Sequence, residues 1–190
     1  MSSGHGSASS KRLRNWKIPD TLCAMAREIS AGGVVLRQMD GVWNVSLIEP
    51  QKESPKPGQS PRKRTRAVLA LPKGLVDPGE KPMATALREV KEETGILAEM
   101  VTKLVDIKYV YVRSWGDGER VFKIVSFYLL RYVSGEIDNL APDMRIEVKR
   151  ALWVPLDQAD RQLAYSNERK VLRQAREYLE TRGFAPEKTF

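Results

Sequence analysis

The sequence predicts an α+β fold in which a mixed β-sheet lies between helices. Apolar segments with strand-like alternation come in pairs joined by short turns, which is typical of hairpins. Only two segments show clear helical spacing, and this excludes the regular strand–helix alternation of a doubly wound sheet. Hydrophobic residues make up 42% of the 190-residue chain and charged residues 29%, which is the composition of one ordinary globular domain.

The strands are predicted from short apolar segments bounded by turn residues. The first hairpin joins residues 32–36 to residues 42–48 through a turn at Asp40 and Gly41. After a segment rich in Pro, Ser, Lys and Arg, the strand pattern resumes. The further strands are expected at residues 67–71, 101–112, 121–132 and 150–154.

Two helices are predicted. Residues 82–94 have helical periodicity, with Pro82 suited to the first turn and Gly95 suited to the C-terminal cap. Residues 156–182 carry apolar positions close to helical spacing. These helices would cover the sheet.

The positive charge is concentrated in two segments. Of 32 Lys and Arg residues and 24 Asp and Glu residues, residues 1–28 hold five and two, residues 51–66 hold six and one, and the rest is balanced at 21 each. We therefore predict a flexible or partly helical extension over residues 1–28. A domain follows over 29–182 with an exposed basic loop at 51–66, and then a tail at 183–190.

The chain shows the features of a cytoplasmic protein. Cys23 is the single cysteine, so no internal disulfide forms, as expected in a reducing compartment. No apolar run approaches the ~20 residues that a membrane span needs, so we expect no membrane association. The single histidine, His5, lies in the Gly/Ser-rich N-terminal segment, which sets aside histidine-based catalysis.

The helix at residues 82–94 is predicted to have a core face and a carboxylate face. At about 100° per residue, one side carries apolar residues and Thr and the other carries glutamates. The core face is expected to contain Met83, Leu87, Val90 and Thr94, and the opposite face Glu89, Glu92 and Glu93. Arg88 is expected to pair with Glu92. A carboxylate cluster supplies the oxygen ligands that Mg²⁺ or Mn²⁺ prefers, and a solvated acidic face is the alternative.

The loop before this helix completes a recognisable motif. Gly74 and Gly79 allow the backbone to turn towards the start of the helix, which brings the Glu80 carboxylate and a carbonyl towards the same metal. The residues in order are Gly74-x5-Glu80-x7-Arg88-Glu89-Val90-x-Glu92-Glu93-x-Gly95-Ile96. This pattern resembles a complete Nudix box, with no departure at any fixed position.

The resemblance to the Nudix family implies an α/β/α sandwich that hydrolyses a nucleoside diphosphate linked to another group, with Mg²⁺ or Mn²⁺. The implied metal-site residues are Gly74 (through its carbonyl), Glu80, Glu89, Glu92 and Glu93. Arg88 would orient a glutamate through a salt bridge. We expect Glu92 or Glu93 to combine metal binding with activation of water, since the attack on a shielded pyrophosphate needs a deprotonated nucleophile.

Outside the box, residues 118–129, 153–156 and 165–172 are similar to the diadenosine-polyphosphate and oxidised-nucleoside-triphosphate hydrolases of the family. Glu147 matches an additional metal ligand or base, and a surface glutamate is the alternative. Lys73 is expected to reach a phosphate unless it is simply an exposed turn residue. Lys123 belongs to the first of these segments, residues 118–129, and is assigned to substrate binding.

Three tyrosines are candidates to stack on a purine, because an aromatic face contributes about 1–3 kcal/mol to binding a base. Tyr165 is the first of them, and the pair Tyr109 and Tyr111 lies on a predicted strand. Core packing explains strand tyrosines equally well.

The basic loop at residues 51–66 has three interpretations. Arg64 and Arg66, with Arg62 and Lys63, would attract long polyphosphates or highly phosphorylated inositols, or would bind an RNA 5′ end. Alternatively, the loop has no role. Balanced charge elsewhere in the chain argues against a long RNA-binding groove.

We therefore predict a hydrolase that cleaves a phosphoanhydride bond in a dinucleoside polyphosphate or in a nucleoside triphosphate, including oxidised ones. It would act on small-molecule nucleotides or polyphosphates as a monomer or homodimer. Diphosphoinositol polyphosphates and RNA 5′-pyrophosphates are alternative substrates. A nucleotide-sensing binding module is the non-enzymatic alternative, which the intact box argues against.

Overall fold

A computed structural model describes residues 25–51, 67–113 and 118–184. The strands in this part of the chain are β1 (Ala26–Met39), β2 (Val42–Pro50), β3 (Lys73–Leu75), β4 (Ile96–Val112), β5 (Arg120–Gly135) and β6 (Val148–Pro155). The α-helices are α1 (Pro82–Thr94), α2 (Leu156–Gln162) and α3 (Ser166–Arg182), and a short 3₁₀ helix covers Met144–Ile146.

The strands form one mixed sheet in the order β4-β5-β1-β2-β6, and β3 pairs with β1 beside it. Strand β1 runs parallel to β5 and antiparallel to β2. The turn between β1 and β2 has positive φ at both Asp40 (49°) and Gly41 (76°), the backbone that a tight two-residue hairpin requires. The predicted first hairpin is therefore present.

Helices cover both faces of the sheet. Alternate residues of β1 enter different apolar clusters, because successive side chains of a strand point to opposite faces. The cluster that includes α1 contains Ala31, Val35, Ala86, Val90, Ile96, Tyr128 and Leu130. The cluster that includes α2 and α3 contains, among others, Val34, Leu36, Phe127, Leu129, Val171, Leu172 and Ala175. This arrangement confirms the predicted sandwich with a mixed sheet between helices.

The structure corrects the strand predicted at residues 67–71. Only isolated bridges occur there, from Leu69 to Leu163 and from Ala70 to Ile48, and the regular pairing begins at Lys73. The backbone at 69–71 bonds to β2 and to the segment between α2 and α3, so it passes between these elements instead of following one of them. Pro72, which has no N–H to donate, separates this segment from β3.

The helical stretch predicted at residues 156–182 is divided into α2 and α3. Leu163 has an extended backbone (φ −65°, ψ 129°), which ends α2 and redirects the chain. None of the helices in the described ranges is both long and apolar enough to cross a bilayer.

Helix α1 has the predicted bounds, with Pro82 in its first turn and Gly95 in a left-handed cap at φ 79°. The predicted core face is wrong at Met83, whereas Val90 and Thr94 are buried as predicted. Met83 is 45% exposed, whereas Glu89 and Glu93 are only 8% and 7% exposed. The two glutamates are buried because β3 lies against their side of the helix, which is therefore not a solvated face.

Candidate active site

Strand β3 and helix α1 are joined by two glutamates. The backbone N–H of Lys73 donates to Glu93 Oε2 at 2.7 Å. A Cβ at Gly74 would lie 2.1 Å from Glu89 Oε1, so only a glycine allows the Glu89 carboxylate to rest against this backbone. The glycine that opens the box is therefore needed for close approach.

Arg88 connects the carboxylates of the box. Its guanidinium donates to Glu80 through Nε at 3.0 Å and through Nη2 at 2.9 Å. It also donates to Glu89 at 2.8 Å and to Glu92 at 2.9 Å, so the predicted pairing with Glu92 is present. A further bond to the Leu75 carbonyl, at 3.0 Å, anchors the guanidinium to the end of β3.

Glu80 is held as an anion by its neighbours. The Arg88 guanidinium and the Thr85 hydroxyl, which donates at 2.6 Å, lower the pKa of Glu80 to about 2. Glu80 therefore carries its charge throughout the physiological pH range, with that charge directed at Arg88. It fixes the guanidinium that contacts the other two glutamates.

Burial acts in the opposite direction on the inner glutamates. It raises the pKa of Glu93 to about 8, against the influence of Lys73, and the charges of Glu89 and Glu147 add to the rise. Burial also raises the pKa of Glu89, against the influence of Arg88. Glu147 ends the 3₁₀ helix, and its charge acts on both groups. Negative charge is thus crowded at the β3 side of α1.

The donor chemistry of this crowded region fits a divalent cation. Carboxylate oxygens and a backbone carbonyl are the ligands that Mg²⁺ and Mn²⁺ prefer. Burial is the main cause of the raised pKa of Glu93, and a cation would offset the charges of Glu89 and Glu147 that add to it. With the side chains as they lie, no group of three or more Asp, Glu, His or Cys residues within the described ranges is arranged around one point. Arg88 engages Glu80, Glu89 and Glu92 instead.

A cavity of about 380 Å³ opens on the α3 side of Lys73. Its lining is mainly apolar and aromatic. The lining residues are Lys73, Ile107, Tyr109, Val125, Phe127, Tyr165, Ser166, Asn167 and Glu168. Lys73 therefore contacts helix α1, the acidic helix that carries the glutamates of the box, through its backbone, and it lines the cavity through its side chain.

The predicted substrate-binding residues have different surroundings. Lys73 Nζ lies 3.2 Å from Glu168 and 6.0 Å from the centre of the Tyr165 ring, and Tyr165 is 53% exposed. Lys123 pairs with Glu28 at 3.5 Å and is the register partner of Tyr109.

The two strand tyrosines have different surroundings, since Tyr109 faces the cavity and Tyr111 lies beside Glu28. Tyr109 lines the cavity, and its ring centre is 6.3 Å from that of Tyr111. Burial raises the pKa of Tyr111, and a hydrogen bond with Glu28 adds to the rise. Arg64 and Arg66 lie outside the described residues.

Glu168 is the residue that sequence reasoning missed. It is 4% exposed and pairs with Lys73, in the first turn of α3. Its position precedes the buried Val171, Leu172 and Ala175 by three, four and seven residues, which is the spacing of one helix face. A glutamate at a core position of the helical pattern is the signal that would have identified it.

The family follows from the fold and from this site. A NUDIX domain family model matches residues 26–175, which is most of the chain. The chain therefore belongs to the NUDIX family, as the box predicted.

Two bacterial relatives are similar to parts of the chain. A putative mutator protein MutT4 from Mycobacterium tuberculosis (strain CDC 1551 / Oshkosh) is 35% identical over 173 residues, which cover 91% of this chain and 64% of that protein. An 8-oxo-(d)GTP phosphatase from Mycolicibacterium smegmatis is 33% identical over 104 residues, covering 55% of this chain and 29% of the phosphatase. The chain spans less than two thirds of the length of each.

Solved structures share the fold. The binary complex of a C. elegans Ap4A hydrolase superposes with a TM-score of 0.57 at 26% identity, covering 83% of this chain and 99% of that one. A MutT NUDIX hydrolase from Burkholderia pseudomallei gives 0.53 at 25% identity, covering 78% and 97%. These matches support the sandwich architecture described above.

Proposed function

We propose that this protein is a metal-dependent pyrophosphohydrolase that cleaves a phosphoanhydride bond in a nucleoside diphosphate linked to another group. The observation that carries the proposal is the position of Lys73. Its backbone holds a glutamate of an intact Nudix box, and its side chain lines a cavity large enough for a ligand group. Chemistry and binding would thus meet at one residue.

The acidic side of α1 would hold the metal. The residues in this role are Gly74 through its carbonyl, Glu80, Glu89, Glu92, Glu93 and Glu147. When bound, Mg²⁺ or Mn²⁺ neutralises phosphate oxygens and orients a water. Arg88 keeps the carboxylates in one region before binding, and Gly74 leaves the space that Glu89 occupies.

Two glutamates are candidates to take the proton from the attacking water. Glu93 has a pKa of about 8, close to the value that suits proton transfer near neutral pH. The Glu92 side chain is 39% exposed and more open to solvent. Single Glu92→Gln and Glu93→Gln variants test the assignment, because the variant that lacks the base should show the larger decrease in kcat. Wild-type turnover in both folded variants would contradict it.

We infer that the substrate is a dinucleoside polyphosphate or a nucleoside triphosphate, including oxidised ones. The proteins that this chain resembles include an 8-oxo-(d)GTP phosphatase, by sequence, and an Ap4A hydrolase, by structure, which supports this class. The aromatic lining of the cavity, with Tyr109, Phe127 and Tyr165, suits a nucleobase. Asn167 adds an amide with hydrogen-bonding capacity.

The decisive experiment is a substrate panel with Mg²⁺ or Mn²⁺ and with EDTA. The panel contains diadenosine polyphosphates, 8-oxo-guanine and canonical nucleoside triphosphates, diphosphoinositol polyphosphates and triphosphorylated RNA, with kcat/KM measured and products resolved. We expect metal-dependent hydrolysis of the diadenosine polyphosphates and of the nucleoside triphosphates. Nucleotide binding without turnover would instead indicate a sensing module and would overturn the enzymatic proposal.

A further inference from the structure

Glu168 is a buried carboxylate with two specific partners. Burying a charge is unfavourable unless hydrogen bonds and an opposite charge compensate it. Glu168 Oε2 accepts from the Leu71 backbone N–H at 2.9 Å, and Oε1 lies 3.2 Å from Lys73 Nζ. Each oxygen therefore holds a different point of the segment that leads into β3.

The same segment holds Glu93. The Lys73 backbone N–H donates to Glu93 Oε2 at 2.7 Å, and Gly33 N–H donates to the Pro72 carbonyl at 3.1 Å between the two Glu168 contacts. Residues 71–73 are thus held in turn by α3, by strand β1 of the sheet and by α1. A shift of residues 71–73 would move the donor that positions the Glu93 carboxylate.

The Lys73 ammonium is already engaged. Besides Glu168, it reaches the Leu71 carbonyl at 3.4 Å, and its exposed side-chain fraction is 26%. It therefore lies at the cavity wall as one half of an ion pair. The Lys73 ammonium is therefore not a free cation waiting for a phosphate, because Glu168 sets its position.

The geometry points to Glu168 as a positioning residue that links the cavity to the acidic helix through Lys73. This role rests on the proposed function, because its consequence is a Glu93 carboxylate held in place for catalysis. A cap of α3 alone would need no contact with Leu71 or with Lys73. The link is made by one side chain on α3 and one backbone N–H in β3.

The test compares Glu168→Gln with a matched control on the same helix, Glu177→Gln, whose side chain is exposed. Glutamine keeps an oxygen for the Leu71 N–H and removes the charge that faces Lys73. For Glu168→Gln we expect kcat to fall roughly tenfold, the effect of losing one charge-assisted contact, with KM changed less than about threefold. The control should keep both constants.

A second readout does not depend on activity. Hydrogen exchange of the Lys73 amide, measured on the metal-free protein, should accelerate roughly tenfold in Glu168→Gln and stay unchanged in the control. Glu168→Asp, which keeps the charge on a shorter side chain, should show intermediate values and serves if the glutamine variant does not fold. A lower kcat together with faster exchange of the Lys73 amide in Glu168→Gln supports the link.

The outcomes separate the two hypotheses. A wild-type protein without hydrolysis overturns the proposed function before any variant is compared. Unchanged kcat for Glu168→Gln in an active wild-type background, or unchanged exchange at Lys73, overturns the positioning role alone. A change in KM without a change in kcat also overturns it, since Glu168 would then act only as a part of the cavity wall.

Discussion

Replacing Gly74 with alanine should separate activity from stability. The new Cβ would lie 2.1 Å from Glu89 Oε1, whereas ordinary contacts begin at 3.4 Å, so the carboxylate must withdraw by more than an ångström. The atoms in the way form the end of a flexible side chain, and the fold is therefore expected to remain. We expect the free energy of unfolding to change by no more than about 1–2 kcal/mol.

The activity should suffer much more, because a displacement of this size costs roughly 10²-fold in rate when it affects a catalytic group. The assay is kcat/KM on the best nucleotide of the panel, with melting curves of the same preparations. The matched control is Gly41→Ala in the β1–β2 turn, where φ is +76° and an added Cβ would have no atom within 4 Å apart from its own chain neighbours. It should lose about 1–2 kcal/mol of stability and keep its kcat. Wild-type kcat/KM for Gly74→Ala would refute the assigned role of the Glu89 position.

Further predictions concern pH, the guanidinium and the core. Glu93 keeps its proton up to about pH 8 in the folded protein but releases it near 4.5 when unfolded, so the unfolded state binds fewer protons between these values. Stability measured in EDTA should therefore fall as the pH rises from about 5 to 8, and Glu93→Gln should flatten melting temperature against pH. Arg88→Lys loses the forked contacts and should lower kcat about tenfold together with the melting temperature; an unchanged kcat would contradict its orienting role. Leu172→Ala should cost about 2–5 kcal/mol in denaturant titrations while kcat at low temperature stays close to wild type.

The features predicted correctly from the sequence depend on local chemistry. Helix α1 begins at Pro82 and ends before Gly95 because proline suits a first turn and glycine adopts the left-handed cap. The β1–β2 hairpin follows in the same way from Asp40 and Gly41. The Nudix box identified the family because its spacing fixes one loop and one helix.

The features that were missed depend on long-range packing. Residues 69–71 are apolar and buried, yet their partners come from β2, from α3 and from the segment between α2 and α3, so no local pattern distinguishes them from a strand. The buried state of Glu89 and Glu93 likewise depends on β3 lying against α1. The ion pair of Lys73 with Glu168 joins residues 95 positions apart in the sequence, and neither residue has a neighbour that indicates the other.

The division of Lys73 between two partners has an evolutionary consequence. A main-chain donor survives almost any replacement of the side chain, proline excepted, because every other amino acid supplies the same N–H group. The side chain is constrained in another way, because its replacement must keep a cation to pair with the buried Glu168 carboxylate. Changes in ligand preference are therefore expected at the other residues of the cavity lining, such as Tyr109 and Tyr165, where a substitution leaves this ion pair intact.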